Sequence, residues 1–540
     1  MKCVLIHPPF CDPSCPPLGV AYLASALKAK NIDYSIEDAN LDFLDCIESS
    51  KWLEKCIHAN DKKPTTADID FVSSYLPFLP NEHNENGNVY YSAFRKQQTA
   101  FQLTNHAFQD FDLIPYQIKL TNWEKLEQSL PLSIAEKSLF IEWLKHSNLL
   151  EKILSQDPDL IGLSVNFEGQ LFAAYAISHK LKNMTGATII WGGGLLNSFK
   201  NYLGSSNPIW TVVDGIVLGA GEKIISSLNT SNRRLNTPLH SVWSDNKWIS
   251  EQKKKLTPPR PDFDLFPLRS YRTIKRILPY RIFSSCSWKK CTFCADGRFE
   301  FHHDNLFGDV NKVANELINL AEQYKVSGFY FLDAELPSNF LLALSDVLKK
   351  RKDLLRWGGN VRLSPLLAQS ENSGRIFAGG GRFFRFGLES ASDNILKSMR
   401  KGINSSLAER VIRTTNDAGI VTHLYFMHGF PGETKTDWKT SADFLNRNLN
   451  YIDSCSFSKF ELYEGSPLET NSHAGSITYT ANDKNWSYPK LHEISSSEDF
   501  EPQTFEDELY SKKRNTRCFP TTADTIFMAE KAPYYFNNPS

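Results

Sequence analysis

SSCSWKKCTFCADG, residues 284–297, places Cys286, Cys291 and Cys294 within nine residues of one another. Thiols crowded in this way are costly as bystanders and useful as soft metal ligands. Protein iron–sulfur clusters are ordinarily held by four cysteines. Three on one loop therefore point to a four-iron cluster with one iron left open for another ligand. A structural zinc site takes four protein ligands. His302 or His303 would supply the fourth, so zinc stays open as an alternative at this point.

Downstream of this loop, strands alternate with helices, and each strand ends in polar residues. Gly328–Leu332 (GFYFL) runs into Asp333-Ala334-Glu335, and Trp357–Leu363 carries Arg362. Phe384–Gly387 leads to Leu388-Glu389-Ser390, and Val421–Met427 leads to HGFPGET at 428–434. Ser406 and Glu409 have the spacing of a capping box that opens a helix, with Gly419 closing it. Chemistry gathered at the carboxyl ends of successive strands is the barrel arrangement. Each polar residue also has a plain structural reading. Glu335 suits a helix N-terminus, Arg362 suits an ion pair, and His428 and Tyr425 suit packing. Cys455 and Cys518 are too isolated to suggest a second cluster.

Upstream, the pattern is again α/β. Cys3–Ile6 is a short apolar strand followed by a Pro-rich turn, a helix over Leu18–Lys30 with apolar residues at helical spacing, and a second strand over Ile32–Ile36. The pattern resumes at Asp159–Val165, an apolar run typical of a strand buried on both faces in a parallel sheet. A helix over about Gln170–Lys182 follows. Ala187–Trp191 then runs into Gly192, Gly193 and Gly194, and Val212–Leu218 into Gly219 and Gly221. This is doubly wound order, in which ligands bind at the carboxyl ends of the strands. Residues 51–150 show little strand periodicity and read as a mainly helical or irregular insertion. Residues 229–275 are polar and then Pro-rich (TPPRPDFDLFPLRSY), which predicts an extended connection. Cys11 and Cys15 flank the Pro-rich turn with no evident partner ligands.

Composition narrows the function classes. At 540 residues the chain exceeds one ordinary core, so two to four domains are expected. A net charge of −1 gives no basic field for nucleic acid. No apolar run reaches the ~20 residues of a membrane helix. MKCVLIHPPF is not an export signal, and ten cysteines in so long a chain do not form a disulfide framework. Reduced thiols in a cytoplasmic setting are the expectation. No G-x-G-x-x-G follows the first strand, which disfavours a nicotinamide cofactor.

PPLGVAYLASALK, PDLIGLSVNF, IIWGGG and VDGIVLGAGE, in that order, resemble the cobalamin-binding domain that precedes the catalytic domain in one class of radical S-adenosylmethionine (SAM) enzymes. The Cys loop, GLES and GFPGET, also in order, resemble the radical SAM barrel itself over about 280–465. Two departures stand out. The first two cysteines are separated by four residues rather than the commoner three, and no D-x-H-x-x-G loop offers a histidine to cobalt.

The resemblance implies an α/β chain in four parts. Residues 1–228 would form a doubly wound, Rossmann-like cobalamin-type domain and 229–275 a linker. Residues 276–465 would form a partial (β/α)6 barrel and 466–540 a small C-terminal region of unread role. It implies that Cys286, Cys291 and Cys294 bind a [4Fe–4S] cluster. Glu335, Arg362, Glu389 and Ser390 would line SAM. Ser164, Asn166, Gly192, Gly193 and Gly194 would line the cobalamin tail. The implied reaction is reductive SAM cleavage to a 5′-deoxyadenosyl radical. It would be supplied with electrons by a flavodoxin- or ferredoxin-type donor and directed at a small-molecule or peptide substrate. Cobalamin-dependent methylation is the first expectation. A radical cyclisation or rearrangement, or a cluster-binding sensor without turnover, are the alternatives.

Overall fold

The computed structural model describes residues 1–59, 87–108, 111–114, 117–120, 130–198, 207–222, 242–244, 247–249, 259–273, 275–283, 285–295, 309–351, 353–460, 462–463, 466–471 and 490–491. The chain folds as two compact units that part between Arg272 and Thr273.

The strands of the first unit are β1 (Lys2–His7), β2 (Asp33–Asp38), β3 (Phe111–Ile114), β4 (Gln117–Leu120), β5 (Leu160–Ser164), β6 (Thr188–Gly192), β7 (Gly215–Val217), β8 (Val242–Ser244) and β9 (Lys247–Ile249). Seven of them form one sheet in the order β2-β1-β5-β6-β7-β8-β9. The β2-to-β7 portion is parallel. Its order is the 2-1-3-4-5 of doubly wound sheets, with the switch point between β1 and β5. The helix Leu18–Ala29 buries Leu18, Ala21, Tyr22 and Leu27. The helix Glu168–Met184 is buried almost all round over its first three turns. Part of its cover comes from the insertion, where Phe111 packs 5.3 Å from Phe172.

Among its described residues the insertion is mainly helical, with helices at Ser50–Ala59, Gly87–Ala107, Leu139–His146 and Leu149–Leu154. It also holds an antiparallel hairpin, β3–β4, that its sequence does not announce. Four-residue strands are too short to raise a strong period-2 signal, although Phe111 and Leu113 are both buried. The stretch 229–275 also differs from an extended connection. β8 and β9 add two antiparallel strands to the sheet edge. Residues 259–272 are tied to the first unit: Asp262 N donates to Ala21 O (3.0 Å), and Arg272 N donates to Pro13 O (2.8 Å). Polar composition there reflects specific pairing rather than freedom. Lys28 bonds Asp262 and Asp264, and the buried Arg272 reaches Asp45 (2.6 Å) and the buried Glu48 (3.1 Å).

The second unit holds β10 (Ile277–Tyr280), β11 (Gly328–Leu336), β12 (Arg356–Val361), β13 (Gly381–Glu389), β14 (Val421–His428) and β15 (Ser454–Lys459), paired in that order. Every pairing is parallel. With the helices Val310–Tyr324, Ser338–Leu348, Ser370–Ala378, Ser405–Asp417 and Lys435–Asn448 between them, the strands make the expected partial (β/α)6 barrel. Phe331, Trp357 and Phe384 form an aromatic ladder across three strands, with centroids 5.8 and 6.0 Å apart. The helix Ser405–Asp417 is capped by Asn404, whose side chain accepts from Leu407 N, and not by the Ser406–Glu409 box. Glu409 instead pairs with Arg413 and Arg447. Thr434 and Asp437 form a capping box in the GFPGET region, where none was expected. Among the described residues no helix is long and apolar enough to cross a membrane.

Removing one member of a buried ion pair leaves the other charge desolvated. Arg272→Ala is expected to lower unfolding free energy by about 3–5 kcal/mol, because Glu48 loses its cation. Denaturant unfolding followed by far-UV circular dichroism measures it; a loss below about 1 kcal/mol would show that segment 259–272 is not an integral part of the first unit.

Candidate active site

The chain leaves β10 and enters the Cys loop under the control of two carboxylates on β11. The wholly buried Asp333 accepts hydrogen bonds from Ile282 N (3.0 Å) and Phe283 N (2.5 Å). Its own carbonyl oxygen accepts from Asn360 Nδ2 (3.0 Å). Two residues on, and so on the same side of the strand, Glu335 accepts from Ser287 N (2.9 Å) and Ser287 Oγ (2.7 Å). Burial pushes the Asp333 carboxyl up to about 7, against the pull of the two backbone N–H groups. From sequence, Asp333 is legible only as a strand end. The Asp-x-Glu alternation is the available signal that the two carboxylates act together.

A second anchor comes from the stretch after β13. Thr292 N donates to Met399 O (3.0 Å), and Trp288 Nε1 donates to Arg400 O (2.8 Å). The guanidinium of Arg362 lies 4.0 Å from the centre of the Trp288 ring and also donates to Lys401 O. Gly402 has φ +68, and a Cβ there would collide with Trp288 Cζ2. Glycine is thus required both by backbone conformation and by the indole. The four-residue spacing between Cys286 and Cys291 is what contains Trp288.

The three cysteines are half-buried and outside any disulfide. Cys286 Sγ accepts from Trp288 N (3.4 Å). Burial pushes the Cys286 thiol up and Glu335 adds to this, while the N–H groups of Lys289 and Trp288 oppose it. Among the described residues no three His, Cys, Asp or Glu side chains converge to hold a single metal ion. Three thiols on an irregular loop can each bind a different iron of a multi-iron cluster. His302, His303 and Cys518 lie outside the described residues.

Glu389 ends β13 at φ +70 beyond a register shift. For a non-glycine residue this conformation costs about 1–3 kcal/mol and tends to mark functional positions. Its Oε1 pairs with Lys401 Nζ at 2.9 Å. Ser390 is buried, with its hydroxyl 3.3 Å from Ser441 Oγ and accepting from Ser392 N; its side chain faces the helix Lys435–Asn448. Burial is the largest influence raising Glu433 to about 7, while one of its oxygens accepts from Gly429 N (2.6 Å). His428 packs edge-on against Trp438, and Cys455 is buried.

In the first unit, Ser164 and Gly192 sit side by side at the ends of β5 and β6. Asn166 Nδ2 donates to Ser164 Oγ (3.1 Å), and Asn166 Oδ1 accepts from Gly194 N (2.9 Å). Gly193 has φ +123, and a Cβ there would collide with Val165 O. The five residues named for the cobalamin tail are therefore brought together, beside the switch point where doubly wound sheets bind ligands. Cys11, read as lacking a partner, has its Sγ 3.1 Å from His7 Nε2.

Residues 280–445 match the family described as the radical SAM superfamily. An uncharacterized methyltransferase, PH0819, of Pyrococcus horikoshii is 25% identical over 356 residues, covering 63% of this chain and 75% of that protein. The bacteriochlorophyllide d C-12(1)-methyltransferase of Chlorobaculum tepidum is 26% identical over 226 residues, covering 40% of this chain and 48% of that protein. Among solved structures, the cobalamin-dependent SAM radical enzyme OxsB with aqua-cobalamin bound aligns with TM-score 0.57 at 14% identity. That alignment covers 99% of this chain and 72% of OxsB. The radical SAM methyltransferase TsrM of Kitasatospora setae, with cobalamin and a [4Fe–4S] cluster bound, aligns with TM-score 0.51 at 15% identity, covering 89% and 81%. At such identities the structural likeness speaks for the fold. Residues 280–445 carry the match to the radical SAM superfamily, and the fold is similar to that of cobalamin-dependent radical SAM enzymes over most of the chain.

The raised carboxyl of Asp333 has a signed consequence for stability. A carboxylate raised from 3.8 to about 7 stays protonated in the folded state while the unfolded chain ionises. Its contribution is full below about pH 4 and is lost as pH rises to about 7, at up to ~1.4 kcal/mol per unit. Asp333→Asn is expected to flatten that part of the profile. Denaturant unfolding across this range measures it; an unchanged slope in the variant contradicts the assignment.

Proposed function

We propose that this enzyme methylates an unactivated carbon of a biosynthetic small-molecule or peptide substrate with the help of cobalamin. The observation that carries the reading is the pairing, in one chain, of the site at Ser164, Asn166 and Gly192–Gly194, beside the switch point, with a barrel whose Cys loop offers three thiols. Relatives that bear methyltransferase names support it. Cys286, Cys291 and Cys294 would hold a [4Fe–4S] cluster, which when bound would supply one-electron chemistry for reductive SAM cleavage. Bound at Ser164, Asn166 and Gly192–Gly194, cobalamin supplies the methyl group.

The chain's own residues do the positioning. Asp333 and Glu335 fix the loop from the β11 side. Arg362, stacked on Trp288, fixes it from the other and acts on SAM chiefly through that loop. The Glu389 carboxylate, held by Lys401, would meet SAM, and Ser390, whose hydroxyl is engaged with Ser441, would contribute through its backbone. Gly193 lets backbone approach a phosphate of the nucleotide tail, as glycine-rich strand ends do. No histidine is offered to cobalt through a D-x-H-x-x-G loop, so cobalamin binds without one. A flavodoxin- or ferredoxin-type donor in the cytoplasm supplies the electrons.

Cluster- and cobalamin-loaded protein turning over its substrate is expected to form 5′-deoxyadenosine and S-adenosylhomocysteine in near-equal amounts, with a product heavier by one methyl. Liquid chromatography with mass detection measures all three. 5′-Deoxyadenosine without S-adenosylhomocysteine during verified turnover would contradict methylation and favour cyclisation or rearrangement.

A further inference from the structure

A doubly wound sheet binds its ligand outside the carboxyl ends of the strands, at the switch point. Here the two strands at that point are β1 and β5, paired from Cys3–Leu160 to Ile6–Leu163. The chain leaves them as the Pro-rich turn that starts at Pro8 and as the stretch Val165–Phe167. One side chain joins the two loops. Gln170, in the first turn of the helix Glu168–Met184, is wholly buried. Its Oε1 accepts from Asn166 N (2.7 Å) and Phe167 N (3.1 Å), and its Nε2 donates to Pro8 O (2.7 Å).

The hydrogen bonds run on from both ends. Asn166 crosses to the loop after β6, its Oδ1 accepting from Gly194 N. The Pro-rich turn is fixed at Cys11, whose N donates to Asn40 Oδ1 (3.1 Å) and whose carbonyl oxygen accepts from Asn40 Nδ2 (3.1 Å). The loops after β1, β5 and β6 are thus linked through the side chains of Gln170 and Asn166.

A glutamine at the third helical position that reaches back to the N-cap N–H is an ordinary helix cap, and Phe167 N accounts for that much. Capping requires neither Asn166 N nor Pro8 O. Pro8 lies 162 positions away in sequence, on the far side of the switch point. A buried amide engaged at both ends holds its partners at hydrogen-bond distance, because a shift of either loop leaves a desolvated donor or acceptor unmet.

We propose that Gln170 is a positioning residue for the nucleotide tail of cobalamin: it sets the separation of the loops after β1 and β5, between which the tail enters. The inference rests on the cobalamin reading and adds to it a buried residue that acts through Asn166 and Pro8.

Binding of hydroxocobalamin, and of cobinamide, which lacks the nucleotide tail, to cluster-loaded protein tests it by equilibrium dialysis read in visible absorption. Gln170→Leu removes the three hydrogen bonds at similar volume. It is expected to weaken hydroxocobalamin at least ~10-fold and to leave cobinamide binding as in the unaltered protein. Circular dichroism and iron content report the fold. Gln170→Glu, compared with the unaltered protein in alkaline buffer where its carboxyl is ionised, keeps the acceptor for Asn166 N and Phe167 N but sets a carboxylate against Pro8 O. It is expected to show the same tail-dependent loss, whereas a role confined to capping the helix leaves it unchanged. If Gln170→Leu does not fold, Gln170→Glu decides. Equal losses for the two probes, or unchanged hydroxocobalamin binding in either variant, would overturn the inference. Failure of the unaltered protein to retain hydroxocobalamin would overturn the cobalamin reading itself, and the inference with it.

Discussion

Cys286, Cys291 and Cys294 lie on a stretch without regular secondary structure, and the chemistry of the barrel depends on holding that stretch still. Two independent clamps do so. Asp333 and Glu335 grip the backbone from β11, while Met399, Arg400 and Gly402 receive Thr292 and Trp288. Each uses groups whose desolvation is costly unless satisfied, so a loop displaced from either clamp leaves buried acceptors unmet. The cost of raising Asp333 and of holding Glu389 at positive φ is met by the packed barrel around them.

The architecture is readable because its signals are long and periodic. β5 as an apolar run, β11 and β13 ending in acidic residues, and the glycines after β6 each announce a parallel strand and its functional end. The failures are local. β3 and β4 are four residues each, too short for their alternation to stand out. The 259–272 segment reads as polar, yet its charges are spent on Lys28–Asp262 and Arg272–Glu48, pairings that span more than two hundred positions. Arg362 is legible as a cation but not as the partner of Trp288, because a cation–π contact between residues 74 apart leaves no trace in spacing. Ser390 sits in the right motif, and only packing reveals that its side chain faces Ser441.

The interior of the barrel and the switch point of the first sheet show the same economy of means. At the strand ends of the first sheet and along one register row of the barrel the residues are small or polar: Ser164, Gly192 and Gly193 in one, Asn360, Arg385, His423 and Ser454 in the other. A sheet meant only for packing would carry branched apolar groups there.

The central claim is that the three thiols hold a cluster with one iron open to SAM. Electron paramagnetic resonance of the anaerobically reconstituted, reduced protein tests it most directly. The account predicts a [4Fe–4S]⁺ signal that shifts when SAM is added and that is absent when Cys286, Cys291 and Cys294 are replaced by Ala. A cluster signal retained in the triple variant, or one indifferent to SAM, would contradict it.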